Sequence, residues 1–318
     1  MAPIRPASDQ IAPDQIASGI GLILLSTAAM ALADAMVKLA SSELTVWQIF
    51  AVRSAFAAAC LLALVRWQGQ RMRTHSPRWV VVRSALLVAC WLAYYASLTM
   101  LTLPVAAVAV YTNPIITTLL CALALGERVT ARQWLGVLVG FAGVAVILRP
   151  GTAAFSWAIV LPLMAAVFYS LAMVLTRSKC QRENATALAL WLHVAFIATG
   201  LGVAALLALV PADPAQAAAH PFLLRAWSAM DAGSWALLAL LGILSAGYFL
   251  GVARAYQIAP PQIIGTFDYG YLVSAAVWSI VLFAEPPSPS TLAGIGLITV
   301  AGVLVAARAG KAGQNRAA

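Results

Sequence analysis

The chain has 318 residues, of which 63% are hydrophobic and 9% charged, with a formal net charge of +9 and a mean hydropathy of +0.93. A water-soluble domain carries about 25% charged residues, so a soluble globular fold is excluded: too few charges are present to cover this surface in water. Nucleic-acid binding is excluded as well, because the basic residues form no single patch but fall in short clusters between apolar runs, the pattern that marks cytoplasmic loops of membrane proteins.

Residues 1–17 are mostly polar or small, contain Pro3, Pro6 and Pro13, and lack the basic-then-apolar form of a signal peptide; they read as a disordered cytoplasmic tail. A bilayer core is about 30 Å thick and needs about 20 mostly apolar residues to cross as a helix. Ten segments meet that need, at roughly 18–40, 46–66, 79–100, 104–125, 132–149, 156–177, 186–210, 234–254, 261–284 and 290–308. The runs are too long and too uniformly apolar for barrel strands, which alternate with period two. The predicted fold class is therefore all-α integral membrane, with residues 309–318 a second cytoplasmic tail.

Charge sets the orientation. With the N-terminus inside, the inner loops and tails hold 14 Lys and Arg residues and the outer loops only Arg149 and Arg225, leaving aside Lys38, Arg53 and Arg83 within spans. Both termini are expected in the cytoplasm. The alanine- and arginine-rich composition suggests a bacterium, and hence its inner membrane.

The spans fall into two halves, 18–149 and 156–308, whose ends echo one another. Residues 111–151 read YTNPIITTLLCALALGERVTARQWLGVLVGFAGVAVILRPG, and 269–310 read YGYLVSAAVWSIVLFAEPPSPSTLAGIGLITVAGVLVAARAG. In each, an acid (Glu127, Glu285) ends an apolar run, a glycine follows nine residues on (Gly136, Gly294), and a small-residue helix exits through an arginine (Arg149, Arg308). Five spans per half is an odd number, so the second half enters from the opposite face: an inverted repeat, the architecture of many secondary transporters.

On these residues the chain resembles the EamA-type members of the drug/metabolite transporter superfamily. The carriers are Gly126–Glu127 within LGERVTARQWLG and Ala284–Glu285 within LFAEPPSPSTLAG; the second copy departs from the pattern in Ala284 and in Pro286 and Pro287. The resemblance implies alternating access between two halves around a site formed mainly by the first four helices of each. ALADAMVKLA and VWQIFAVRSAF, with Asp34, Lys38, Gln48 and Arg53, are further similar to the group of riboflavin and S-adenosylmethionine carriers.

Charges within a bilayer cost about 2.5–3.5 kcal/mol each on insertion scales, so each calls for a reason. Asp34 and Lys38 are four apart on one helical face, and Arg53 lies about two turns into the second span. The basic pair is a candidate to hold a carboxylate or phosphate and Asp34 a cation or proton; an internal ion pair tying the two helices is the alternative. Asp268, in GTFDYGY, is the one acid deep in the ninth span; it is a candidate for substrate or proton binding, or a partner of Arg254 or His193. Trp91, Tyr94 and Tyr95 share a face at i, i+3 and i+4, and with Tyr111, Asn113, Tyr248 and Tyr271 they could stack and hydrogen-bond a flat ring. The substrate-binding or gating candidates are thus Asp34, Lys38, Arg53, Trp91, Tyr94, Tyr111, Asn113, Tyr248, Asp268 and Tyr271.

The four cysteines have no metal-ligand spacing, and no zinc, P-loop or nucleophile motif is present; no cofactor, metal or enzymatic activity is expected. The expected function is secondary transport of a small organic metabolite, a flat zwitterion or anion such as a flavin, nucleoside derivative or S-adenosylmethionine, with protons a candidate coupling ion. Export of amino acids or toxic metabolites is the alternative within the class; a membrane-embedded enzyme or a channel are alternatives outside it. A monomer and a homodimer both remain open.

Overall fold

The computed structural model describes residues 13–40, 43–69, 74–98, 100, 109–124, 126, 129–148, 157–283 and 289–306. Helices account for almost all of them, as apolar segments in lipid must satisfy every backbone polar group within the segment. Helix α1 spans Pro13–Ala40. Its start shortens the expected disordered tail by five residues: proline is tolerated in a first helical turn, and Asp14 there complements the helix dipole.

The second predicted span is α2 (Val46–Gln48), a π-helical turn (Ile49–Arg53) and α3 (Ser54–Trp67). Thr45 and Gln48 form a capping box at its start, which satisfies two otherwise free backbone donors. Then follow α4 (Pro77–Leu98), α5 (Asn113–Ala124), α6 (Ala131–Leu148), α7 (Val160–Ser178) and α8 (Ala185–Leu209). Two short helices unforeseen in the sequence, α9 (Pro214–Ala219) and α10 (Pro221–Leu224), lead to α11 (Ala232–Ile258), capped by the Asp231 side chain. The ninth predicted span is two helices, α12 (Pro261–Asp268) and α13 (Gly270–Phe283), and α14 covers Pro289–Ala306.

Among the described residues, six helical stretches are long and apolar enough to cross a membrane: Asp14–Val37, Val46–Trp67, Pro77–Ser97, Val160–Ser178, Ala185–Leu209 and Ala232–Ile258; Asn113–Ala124 and Leu292–Ala301 are shorter apolar helices. Leu25, Leu123, Ile243 and Val281 are more than half exposed, as side chains facing lipid can be and a water-facing surface rarely is.

Helix α1 packs on α11, α12 and α13; α4 packs on α7 and α8; α3 packs on α8 and α11; α5 packs on α7 and α12; and α6 packs on α14. Glycine makes the closest approach possible, since a Cβ at Gly143 would stand 2.8 Å from the carbonyl oxygen of Gly294. The main core gathers Phe50, Leu61, Leu87, Phe196 and Leu238 from α3, α4, α8, α11 and the π turn.

Polar clasps tie the two ends of the bundle. At one end Glu183 accepts from the backbone N–H groups of His75 (3.1 Å) and Ser76 (2.5 Å), and Gln257 Nε2 donates to the carbonyls of Cys180 and Glu183 at 2.8 Å each. At the other, Arg225 Nη2 donates to the Glu43 carbonyl at 2.6 Å and Gln48 Nε2 to the Ser228 carbonyl at 2.7 Å.

Candidate functional site

Two helix interruptions place the site. Tyr269 separates α12 from α13, with Leu272 N–H donating to its carbonyl at 3.0 Å. Residues 109–110 are helical, Tyr111 and Thr112 form a turn, and α5 restarts at Asn113 with Pro114 in its first turn, where a missing N–H costs nothing. Interrupted helices are tolerated at membrane depth where they line a cavity, and one lies here.

Its walls come from α1, α4, the Tyr111 turn with α5, α7, and the α12–α13 break. Asp34 and Met30 line it from α1, Cys90, Trp91 and Tyr94 from α4, and Tyr169 from α7; Tyr111, Asn113, Asp268 and Tyr271 complete the lining. Tyr271 Oη donates to Asp34 Oδ2 at 2.8 Å, and the Tyr271 ring stacks on Tyr111 with centroids 5.6 Å apart and an interplanar angle of 30°. Trp91 and Tyr94 meet edge to face at 6.3 Å. Asp268 is only 4% exposed, and the phenols of Tyr169 and Tyr256 lie beside it. No Lys or Arg side chain is among the residues described as lining this cavity.

Asp34, Trp91, Tyr94, Tyr111, Asn113, Asp268 and Tyr271 are thus brought together. Arg53 and Tyr248 are not among the cavity's described lining residues. They form a separate buried layer between the π turn, α8 and α11, with Arg53 Nη1 3.5 Å from Tyr248 Oη and the guanidinium over the rings of Phe50 and Phe196. No Asp34–Arg53 ion pair within 4.0 Å is present. The Lys38 side chain, Glu127 and Glu285 lie outside the described residues. Arg254, weighed as a partner of Asp268, lines a second cavity with His75 and Arg182. Tyr256 is a neighbour that sequence reasoning missed, since nothing in its local pattern separates it from an ordinary core tyrosine; Tyr95, expected on the cavity face, packs against Phe50 and Phe222.

Residues 17–149 match the EamA-like transporter family. The first half of the chain is thus similar to an EamA-like transporter domain. Relatives match both halves around it. The S-adenosylmethionine uptake transporter of Rickettsia felis is 24% identical over 289 residues, covering 91% of this chain and 92% of its own. The pseudopaline exporter of Pseudomonas aeruginosa is 26% identical over 289 residues, covering 91% and 95%. The riboflavin transporter of Rhizobium johnstonii is 29% identical over 242 residues, covering 74% and 72%. One solved structure, 20% identical, aligns with a TM-score of 0.75 over 94% of this chain and 99% of its own, and so shares the fold. With several helices long and apolar enough to cross a membrane, the chain is a multi-pass membrane protein.

Proposed function

We propose that the protein is a secondary carrier, and that it moves a small organic molecule bearing a positive charge and a flat ring by alternating access between two inverted five-helix halves. The observation that carries this reading is the cavity itself: two carboxylates, Asp34 and Asp268, among Trp91, Tyr94, Tyr111 and Tyr271, with no basic side chain described in its lining. Aromatic faces attract cations and stack flat rings, and an intramembrane acid is a functional group by default. Asp34, partly exposed, suits the ligand; Asp268, nearly enclosed, suits a coupling proton.

The packing supports two related halves. If α1 corresponds to α7, α3 to α8, α4 to α11, α5 to α12–α13 and α6 to α14, the contacts exchange in pairs: α1–α11 with α4–α7, α3–α11 with α4–α8, and α1–α12 with α5–α7. Contacts α3–α8 and α6–α14 map onto themselves. The interruptions also correspond, because Tyr111 and Tyr269 each precede the family-like glutamate, Glu127 or Glu285, by sixteen residues. The clasps correspond too, one joining the loop before α4 to that before α8, the other the loop before α11 to that before α2.

S-adenosylmethionine, a sulfonium joined to an adenine ring, has both required features, and uptake across a bacterial inner membrane is the first direction to test. Export of an amino acid or toxic metabolite uses the same cavity chemistry in reverse. A ligand that binds only the native state raises the melting temperature, by about 2.7 kcal/mol of stabilisation at a hundredfold excess over Kd. S-adenosylmethionine, nucleosides, riboflavin and aromatic amino acids are to be screened in this way on the purified protein. Cationic ligands are expected to stabilise it, Asp34→Asn to abolish the shift, and Asp268→Asn to abolish accumulation driven by a pH gradient in vesicles. Stabilisation confined to neutral or anionic ligands and untouched by both substitutions would overturn the reading.

A further inference from the structure

The buried layer beside the cavity contains an arginine that the protein leaves incompletely paired. Arg53 is 0% exposed. It ends the π-helical turn Ile49–Arg53, and such turns appear frequently at functional sites. Its Nη1 reaches Tyr248 Oη, at the long distance of 3.5 Å, while Nε and Nη2 have no hydrogen-bond partner. The other buried arginines differ. Arg83 donates from Nε to Thr176 Oγ1 at 2.6 Å and from Nη1 to the Leu188 carbonyl at 3.4 Å, and Arg177 donates to the Gln257 carbonyl at 2.6 Å.

The two free atoms are informative in their chemistry. Nε and Nη2 form one edge of the planar guanidinium, and their parallel N–H groups match the two oxygens of a carboxylate. A buried cation without a counter-charge is strongly destabilising, and the neighbouring acid, Asp34, accepts from Tyr271 instead. Tyr95 and Tyr248 each lie within electrostatic reach of both Asp34 and Arg53. Tyr95 packs on the cavity residue Trp91, with ring centroids 5.3 Å apart, and on Phe50, whose ring lies under the Arg53 guanidinium, so it links the cavity to the arginine's layer.

We infer that the free edge of Arg53 receives a carboxylate of the transported molecule, with Tyr95 moving aside, so that the substrate is a zwitterion whose cationic group sits at Asp34. This rests on the cation-binding cavity proposed above and narrows it: a simple organic cation lacks half of the recognition. With Tyr95 displaced, one ligand reaches both charged groups, its cation at Asp34 and its carboxylate at Arg53.

The test compares matched pairs that differ by one carboxylate: S-adenosylmethionine and its decarboxylated form, phenylalanine and phenethylamine, tryptophan and tryptamine, arginine and agmatine. Affinities come from thermal-shift titration of the purified full-length protein. In the pair that binds, the zwitterion is expected to bind at least tenfold more tightly than the amine. Arg53→Gln is expected to weaken the zwitterion at least tenfold more than the amine, and Arg53→Lys, which keeps the charge without the fork, to restore only part of the preference. The wild-type comparison stands alone should Arg53→Gln fail to fold. If amines bind as tightly as zwitterions, or if Arg53→Gln weakens both members equally, the inference falls and the cationic cavity survives. If no member of any pair binds, the cavity reading falls and takes this inference with it.

Discussion

The hydrogen bond from Tyr271 Oη to Asp34 Oδ2 joins α1 to the interruption between α12 and α13, and it occupies the carboxylate that a cationic ligand would need. Tyr271→Phe keeps the ring stacked on Tyr111 while removing the donor. Leaving a partly buried acceptor short costs about 1–3 kcal/mol, so the ligand-free melting temperature should fall. A cationic ligand then replaces the lost donor, and the ligand-induced rise should be larger in the variant than in the wild type; a smaller rise would make the phenol itself a ligand contact. The grouping of Asp34, Asp268 and the aromatic residues was legible because each is an expensive or ring-bearing residue at middle depth in an apolar run. The displacement of Arg53 into its own layer was not. Face arithmetic assumes 3.6 residues per turn, and the π turn that contains Arg53 breaks that spacing.

Among the helices, contact distance is set by small side chains more than by apolar area, since lipid is as apolar as leucine. The α6–α14 contact shows it: a Cβ on Gly143 would stand 2.8 Å from the Gly294 carbonyl oxygen and 3.0 Å from Leu297 Cβ. Backbone cannot step aside as a flexible side chain can. Gly143→Ala should therefore cost about 1–3 kcal/mol, read as a lower melting temperature in detergent. Gly202→Ala in α8 is the control, because nothing lies within 4 Å of its added Cβ and alanine is the better helix former by about 0.8–1 kcal/mol; it should be neutral or stabilising. Equal losses at both positions would mean that α6 and α14 do not approach so closely. The helices themselves were legible as apolar runs, and their ends only partly. Asp231 extends α11 two residues ahead of the predicted start at 234 by capping it. The interruption at Tyr269 did not register because Asp268 and Gly270 beside it sit within a longer, mostly apolar run over 261–284. Helices α9 and α10 lie in a proline- and alanine-rich stretch too short and polar to register as spans.

For the molecule as a whole, the proposed inverted repeat has each half crossing the membrane an odd number of times, a reading that the paired exchange of helix contacts and the asymmetry of Lys and Arg support. That arrangement predicts the side of three points on the chain: both tails in the cytoplasm and the segment between the halves outside. Single cysteines at Ser8, Thr152 and Ala318, in a chain whose four native cysteines are replaced, make it measurable with a membrane-impermeant maleimide. Thr152→Cys should label in intact cells, and Ser8→Cys and Ala318→Cys only in inverted vesicles. Cys180 needs replacement least. It is buried in the turn between α7 and α8, and burial pushes its thiol up to about 11, so the reactive thiolate is scarce at pH 7 and grows only as the pH rises toward that value. Labelling of Thr152→Cys from the same side as the tails would give each half an even number of crossings. The halves would then be parallel, the interruptions at Tyr111 and Tyr269 would approach the membrane from the same face, and alternating access by exchange of two inverted halves would be lost even if the cavity bound its ligand as expected.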